Sequence, residues 1–512
     1  MSRLWFAPQP RYDGVPSGPG SVRGRYRAAT VRSCKGIGWQ AKAPAPQGRS
    51  KVGQALSPGN PAISERLLFL LALTVAFASA QDTRHVTEPA FPASCAVLTA
   101  NLTAIDGHKT LAESDETRLD TARIQKALDT CRKGQAVELT AEGGHNAFLS
   151  GPLDLRAGVT LRVAAGAILF GSRDARLYDL RPGVCGTVDA QGRGCKAMIN
   201  GADIADAGVM GEGAIDGRGW AKVLGKDVSW WDLAEQARAG GNQNCPRILV
   251  LSHAGNFTLY NITLKNSGNF HVAYSNGDGF TAWGVIVDTP KNARNTDGID
   301  PGASTNVTIA HCYIHTGDDN VAIKAGGHVS HMTIAHNHFY TGHGMSIGSE
   351  TYGGADSIRV TDLSIDGADN GIRIKSNATR GGLVKDVVYT DVCIRDTKNP
   401  IYMDSVYEHV GRDQGNRLPE FTGIVLKDVR VEGGGKITLQ GFDEKRRLGM
   451  TFDNVQFDTP GQLEVMAEHA ALTYGPGPMN LKVSGEDVTI EGTPGTAAPN
   501  ACTGKFVPLP RR

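Results

Sequence analysis

Three aspartates, a histidine and two cations recur in this chain at spacings that a repeating fold can bring to one face. Asp297 lies in Asn295-Thr296-Asp297-Gly298, and Asp318 and Asp319 in Gly317-Asp318-Asp319. His343 lies in Gly342-His343-Gly344, and the cations in Arg373-Ile374-Lys375. Like charges brought together raise carboxylate pKa values, so one carboxyl stays protonated while another stays ionised. Cleavage of a glycosidic bond needs that division between acid and base. The cations would hold an anionic sugar that an acidic cleft alone repels. Each piece taken singly has a plainer reading. Asp and Asn cap backbone groups in turns, a lone His in a turn is ordinarily structural, and Arg and Lys two apart on a strand simply share a face. Only a common position in the fold makes the catalytic reading the better one.

That position comes from a repeat. From Val137 onward the chain is a series of short β-rich runs separated by Gly, Asn and Asp. Strand starts align at Phe257, Phe280, Val307, Met332, Ile358 and Val384, offset by 23, 27, 25, 26 and 26 residues. Looser copies begin at Phe421, Met450 and Met479. A period in this range marks a solenoid whose units bury their apolar faces on their neighbours. Two or three strands per unit and no long helical pattern predict an all-β, parallel β-helix. A β-propeller would need a period of roughly 40 residues or more. Leu119 to Cys131 has apolar residues at helical spacing (Leu119, Ile124, Leu128), which predicts one amphipathic helix capping the N-terminal edge. In this register Asp318 lies 11 residues after Val307 and His343 11 after Met332, so the two should stack. Asp297, 17 residues into the preceding unit, and Arg373, 15 into the following one, fall at a similar corner.

The chain has 512 residues, 64 of them Gly, and a formal net charge of +1. That balance hides an asymmetry. Residues 1–80 carry 11 Lys and Arg against Asp13 and Glu65, leaving 42 basic and 50 acidic residues from Gln81 on. The body is mildly acidic, which argues against nucleic acid as a partner. Leu67 to Phe77 is a short apolar run after Arg66 and before Ala78-Ser79-Ala80. It has the form of a secretory leader at about residues 64–80, cleaved after Ala80, and is too short to span a membrane. The expected organisation is an extension and leader over 1–80 and one domain over 81–512, secreted and monomeric.

Secretion permits disulfides. Cys95 with Cys131 and Cys185 with Cys195 are the expected pairs, whereas Cys312 and Cys393 lie in apolar strand patterns and read as buried free thiols. No Cys or His spacing suggests a zinc site. The Asn-x-Ser/Thr sequons at Asn101, Asn256, Asn261, Asn306 and Asn377 mostly coincide with strand–turn junctions and read as repeat chemistry.

The four charged segments, in order and with their flanks NTDGIDP, GDDNVAIKAG, GHGMSIGSE and NGIRIKS, resemble the signature of polygalacturonases, glycoside hydrolase family 28. DTARIQKALDTC and NSGNFHV upstream are similar too, and the resemblance covers roughly residues 90–460. It implies a right-handed parallel β-helix and metal-free, cofactor-free, inverting hydrolysis of α-1,4-linked galacturonan in pectin. It further implies that Asp318 is the general acid, that Asp297 and Asp319 activate the water, and that His343 supports the protonation of the acid. Arg373 and Lys375 would bind the galacturonate carboxylate. Tyr407 fits the place of a further substrate-binding Tyr better than Tyr402, and Asn295 is placed with the substrate-binding residues. The rivals are a calcium-dependent pectate lyase, a rhamnogalacturonan or xylogalacturonan hydrolase of the same family, and a non-enzymatic carbohydrate-binding solenoid. The intact segments favour plain galacturonan. The lack of a large extra domain leans toward endo action, although loops at the ends of the cleft decide endo against exo.

Overall fold

The structure, a computed structural model, describes residues 81–107, 109–496 and 502–511. The expected leader, its cleavage site and Cys34 lie outside or at the edge of the described residues. The chain winds as a right-handed parallel β-helix with three strands per coil. Leu249–Ser252, Gly255–Tyr260 and Thr263–Lys265 make one coil, and Val272–Ser275, Asp278–Trp283 and Ile286–Asp288 the next. Gly255–Tyr260 and its successors form a first sheet and Thr263–Lys265 and its successors a second. Leu249–Ser252, Val272–Ser275, Ile299–Gly302, Val321–Ile323, Met345–Gly348, Asn370–Lys375 and Asn399–Asp404 form a third.

Alternation builds the interior. Phe257, Phe280, Val307, Met332 and Ile358 stand over one another and are all buried. Residues two apart point the same way along a strand, so a stack in register gives one continuous core, running here from Ala100 to Val483. The α-helix Thr121–Thr130 caps the N-terminal end and buries Ile124, Ala127 and Leu128. Leu119 lies outside that helix and is exposed, because helical spacing carried it past the true start.

Between the first and second sheets each coil turns on one left-handed residue. The file runs Asn261, Gly284, His311, His336, Asp362, Asp391, Asp428 and Asn454, each with φ between 51° and 63°. Asn, Asp and Gly tolerate that conformation best. Asn256 and Asn306 hold the same conformation at the next corner. Asn377 accepts hydrogen bonds from Thr379 N and Oγ1 in its own turn. Four of the five sequons therefore do backbone work.

The register departs from expectation at three of the aligned starts: Leu472, not Met479, stands over Met450, and Met479 bridges to Val455. Val387 and Ile424, not Val384 and Phe421, continue the stack. Val384 and Phe421 instead pair with each other in a separate two-stranded strip at the coil edge. Three added residues delay the strand while keeping the apolar pattern. Disulfides Cys95–Cys131 and Cys185–Cys195 form as expected, and Cys312 and Cys245 are buried free thiols. Cys393 is not free: it pairs with Cys502. Its neighbours Val392 and Ile394 point inward, so Cys393 points outward, and a C-terminal tail running back along the stack covers it. Lys505 anchors that tail to Asp362 and Asp391, at 2.5 and 2.7 Å. No helix among the described residues is long and apolar enough to cross a membrane.

Candidate active site

The acidic residues occupy the corner where each coil enters the third sheet. Asp297 precedes Ile299–Gly302, Asp318 and Asp319 precede Val321–Ile323, and His343 precedes Met345–Gly348. The expected stacking holds. His343 donates its backbone N–H to Asp318 O at 3.0 Å, and its Nδ1 lies 3.0 Å from Asp318 Oδ1.

Arg373 and Lys375 rise from the following strand, and small neighbours let them reach back. Ser346 pairs in register with Arg373, and Gly348 with Lys375. Over that low floor Arg373 Nη1 reaches Asp319 Oδ1 at 2.9 Å, and Lys375 Nζ reaches Oδ2 at 2.9 Å. Ser346 Oγ donates to Oδ1 as well, at 2.8 Å. Asp319 is 1% exposed and fully occupied by protein donors. Tyr407 accepts from Arg373 Nη2 at 3.2 Å and lays its ring 5.4 Å from Lys375 Nζ. Tyr402 faces Arg373 from the next rung and donates to Asp404. Asn295 accepts from Gln243 Nε2 at 3.1 Å.

Two residues that the spacing did not single out complete the cluster. Lys324 Nζ lies 3.5 Å from Asp297, 3.8 Å from Asp319 and 3.9 Å from Asp300. Asp300 is 4% exposed, and neither of its oxygens is hydrogen-bonded. Both lie in the flanks NTDGIDP and GDDNVAIKAG. Alternation was the signal that finds them: Ile299, Val321 and Ile323 are buried in the core, so Asp300 and Lys324 point away from it, to the side of the acids.

Burial and charge sort the carboxylates. Burial raises the Asp319 carboxyl, but Lys375, Arg373 and Lys324 together hold it far below its ordinary value. Burial raises Asp297 well above its ordinary value, and the charges of Asp300 and Asp318 add to this. Burial likewise pushes Asp300 up to about 7. Burial also raises Asp318, yet the His343 hydrogen bond and charge outweigh it and hold Asp318 low. His343 is correspondingly raised, the pairing with Asp318 overcoming burial. Burial lowers Lys375 despite its contact with Asp319. A division into protonated and ionised carboxyls therefore exists, but not as expected. Burial and mutual repulsion favour a proton on the Asp297–Asp300 side, and His343 favours the ionised form of Asp318. Asp318, Asp319 and His343 have ligand-type atoms within 4.8 Å of one another. Arg373 and Lys375 already neutralise the innermost member of that trio.

Residues 131–473 match the model of Glycosyl hydrolases family 28. The chain is 43% identical over 402 residues to an endo-polygalacturonase of Pectobacterium carotovorum subsp. carotovorum, covering 78% of this chain and 95% of the relative. It is 39% identical over 492 residues to a polygalacturonase of Ralstonia nicotianae, covering 83% and 92%. The solved polygalacturonase from Erwinia carotovora ssp. carotovora superposes with a TM-score of 0.71 at 42% identity, over 77% of this chain and 100% of that one. With the coil stack and the Asp297–Asp318–Asp319–His343 corner behind them, these matches show that the chain belongs to glycosyl hydrolases family 28.

Proposed function

We propose that this protein is a secreted, monomeric, endo-acting polygalacturonase that hydrolyses the α-1,4-galacturonosyl linkages of polygalacturonate by an inverting mechanism. The observation that carries the reading is the corner itself: ionised, protonated and cation-held carboxyls gathered in one groove of a family 28 fold. Endo action rests on the resemblance to the endo-polygalacturonase relative. Secretion rests on the apolar run ending at Ala80 and on three disulfides.

Asp318 is the acid in this reading. Its side chain is 18% exposed where those of Asp297 and Asp319 are 3% and 1%, so it is the carboxyl that a substrate reaches. It is ionised in the free protein, beside the imidazolium of His343. A sugar chain filling the groove excludes water, and a dry environment favours the neutral pair over the ion pair. The proton then passes from Nδ1 of His343 to Asp318 and on to the leaving oxygen.

The base must stand far enough from the acid to hold a water, roughly 6.5–9.5 Å away in inverting enzymes. Oxygens of Asp318 and Asp319 come within 4.8 Å, which is too close. Both oxygens of Asp319 are also occupied. Asp297 lies on the preceding coil, and its Oδ1 makes no hydrogen bond; it acts as the base when the proton that it and Asp300 compete for rests on Asp300, with Asp319 fixing the field around it. Arg373, Lys375 and Tyr407 form the cationic, aromatic wall that receives a galacturonate carboxylate. Nothing in these steps calls for a metal.

Product analysis on polygalacturonate tests the reading. Mixed saturated oligomers with new reducing ends, formed in the presence of chelator, are expected. Release of monomer or dimer alone would mean exo action. Unsaturated, ultraviolet-absorbing ends that need calcium would mean a lyase.

A further inference from the structure

The sheet face that carries the catalytic corner continues toward the N-terminal coils, and its charge changes there. Ile248 N donates to Phe270 O at 3.4 Å, His271 N to Asp297 O at 2.8 Å, and Gly298 N to Asp319 O at 2.9 Å. Arg247, Phe270, Asp297 and Asp319 therefore follow one another along a single file, one per coil. Coils stand about 4.8 Å apart, which puts Arg247 roughly 10 Å from Asp297 along the axis. The half-buried floor beside them is made of small side chains: Val250, Ser252, Ala273 and Ser275.

Arg247 lies 4.7 Å over the Phe270 ring, and Lys324 lies 5.7 Å from the same ring on the catalytic side. The Arg247 guanidinium makes no hydrogen bond or ion pair among the described residues. Arg193 is in the same condition. It is exposed on the Cys185–Cys195 loop, which packs on the chain just before Arg247 through Gly194 N donating to Asn244 Oδ1 at 2.7 Å. Burial disfavours the Arg247 charge, Asp300 and Asp297 offset part of that from a distance, and Arg193 opposes it weakly; with no direct partner on the fork, a bound anion would supply one. Beyond the catalytic corner the same floor carries Lys375, then Asp404, which accepts from Tyr402, and farther on Glu468, which pairs with Arg412.

We propose that Arg247, supported by Arg193 and with Phe270 as the stacking platform, binds the carboxylate of a second uronate residue of the substrate, on the N-terminal side of the bond that is cut. The proposal rests on the polygalacturonase reading and deepens it. A planar guanidinium fork matches a carboxylate bidentately and gains far less from a methyl ester. Arg247 therefore requires an unesterified residue at this point, and the enzyme discriminates against methylated pectin there. The chain is held over Arg247, threads past the acids and meets the Arg373–Lys375 wall beyond them.

Kinetics on polygalacturonate, on partly methyl-esterified pectin and on oligogalacturonates of graded length test it, using wild type, Arg247→Ala and Arg247→Lys. Losing a charge-assisted, bidentate contact raises KM roughly tenfold or more, with kcat moving much less. Arg247→Lys keeps the charge, loses the fork and falls between the two. The penalty appears only with oligomers long enough to reach Arg247 and vanishes on the shortest that are cut. Wild type slows as esterification rises, and Arg247→Ala loses much of that dependence. A uniform loss at every length, with unchanged response to esterification, would mark Arg247 as structural and overturn the proposal. A KM within twofold of wild type on long substrate would overturn it as well. Wild type inactive on polygalacturonate would instead overturn the functional reading beneath it.

Discussion

Two corners of the coil stack carry the same chemistry and put it to different use. At the corner between the first and second sheets, His336 Nδ1 meets Asp362 at 2.7 Å. At the corner entering the third sheet, His343 Nδ1 meets Asp318 at 3.0 Å. His311 stacks on His336 and Asp391 follows Asp362 in the first file, whereas aspartates flank the second pair. The first pair stands in water, with His336 50% and Asp362 33% exposed, and Lys505 closes the file. Around the second pair Asp319 is 1% and Asp297 3% exposed, and cations and acids are packed without full pairing. A His–Asp pair at a β-helix corner is therefore not a catalytic signal. Burial, and charge that the protein leaves unbalanced, make it one.

Breaking the contrast at its strongest point means removing one carboxyl from each corner. Asp318→Asn lowers kcat on polygalacturonate roughly 10²–10⁴-fold with little change in KM. Asp362→Asn leaves steady-state rates within about twofold. Comparable losses in the two variants would erase the distinction.

A second test sharpens the role of burial. The Asp300 carboxyl, pushed up to about 7 from its ordinary 3.8, binds its proton more tightly folded than unfolded. Stability from this group is present at about pH 4 and is lost as pH rises toward 7. Asp300→Asn removes that loss, making the fall of unfolding free energy between pH 4 and 7 in denaturant melts shallower, by at most about 4 kcal/mol at the upper end. An unchanged slope would put the proton elsewhere. The smallest effect belongs to the exposed corner: His336→Ala shifts unfolding free energy by about 0.5 kcal/mol or less in denaturant melts.

Spacing alone brought Asp297, Asp318, Asp319, His343, Arg373 and Lys375 to one place, because a coil repeat turns sequence offsets into neighbours. It passed over Lys324 and Asp300, which lie in strands, where a two-residue alternation and not the coil period assigns the face. It also passed over Arg247, which lies ahead of Phe257, the first aligned strand start. Cys502 carried no signal at all. Its partnership depends on a tail that runs against the stack, and no repeat extends into that tail. The direction of the Asp318 proton was hidden for another reason. Like-charge crowding is legible in a string of acids, whereas the competing hydrogen bond from His343 depends on a 3.0 Å approach.

The one-residue turn that closes each coil between the first and second sheets bears on how such a molecule can diversify. One more residue at Asn261 or His311 would reverse the pleat of the strand after it, exposing Leu264 or Ile314 and driving polar neighbours inward. That edge is closed to insertion and deletion. The two corners flanking the third sheet are not, since they already carry stretches as long as Gly217–Ile248 and Ser405–Gly423. Changes in length therefore accumulate as taller or shorter banks on either side of the groove. Substrate range can be redesigned there while the spine of the molecule keeps its pitch.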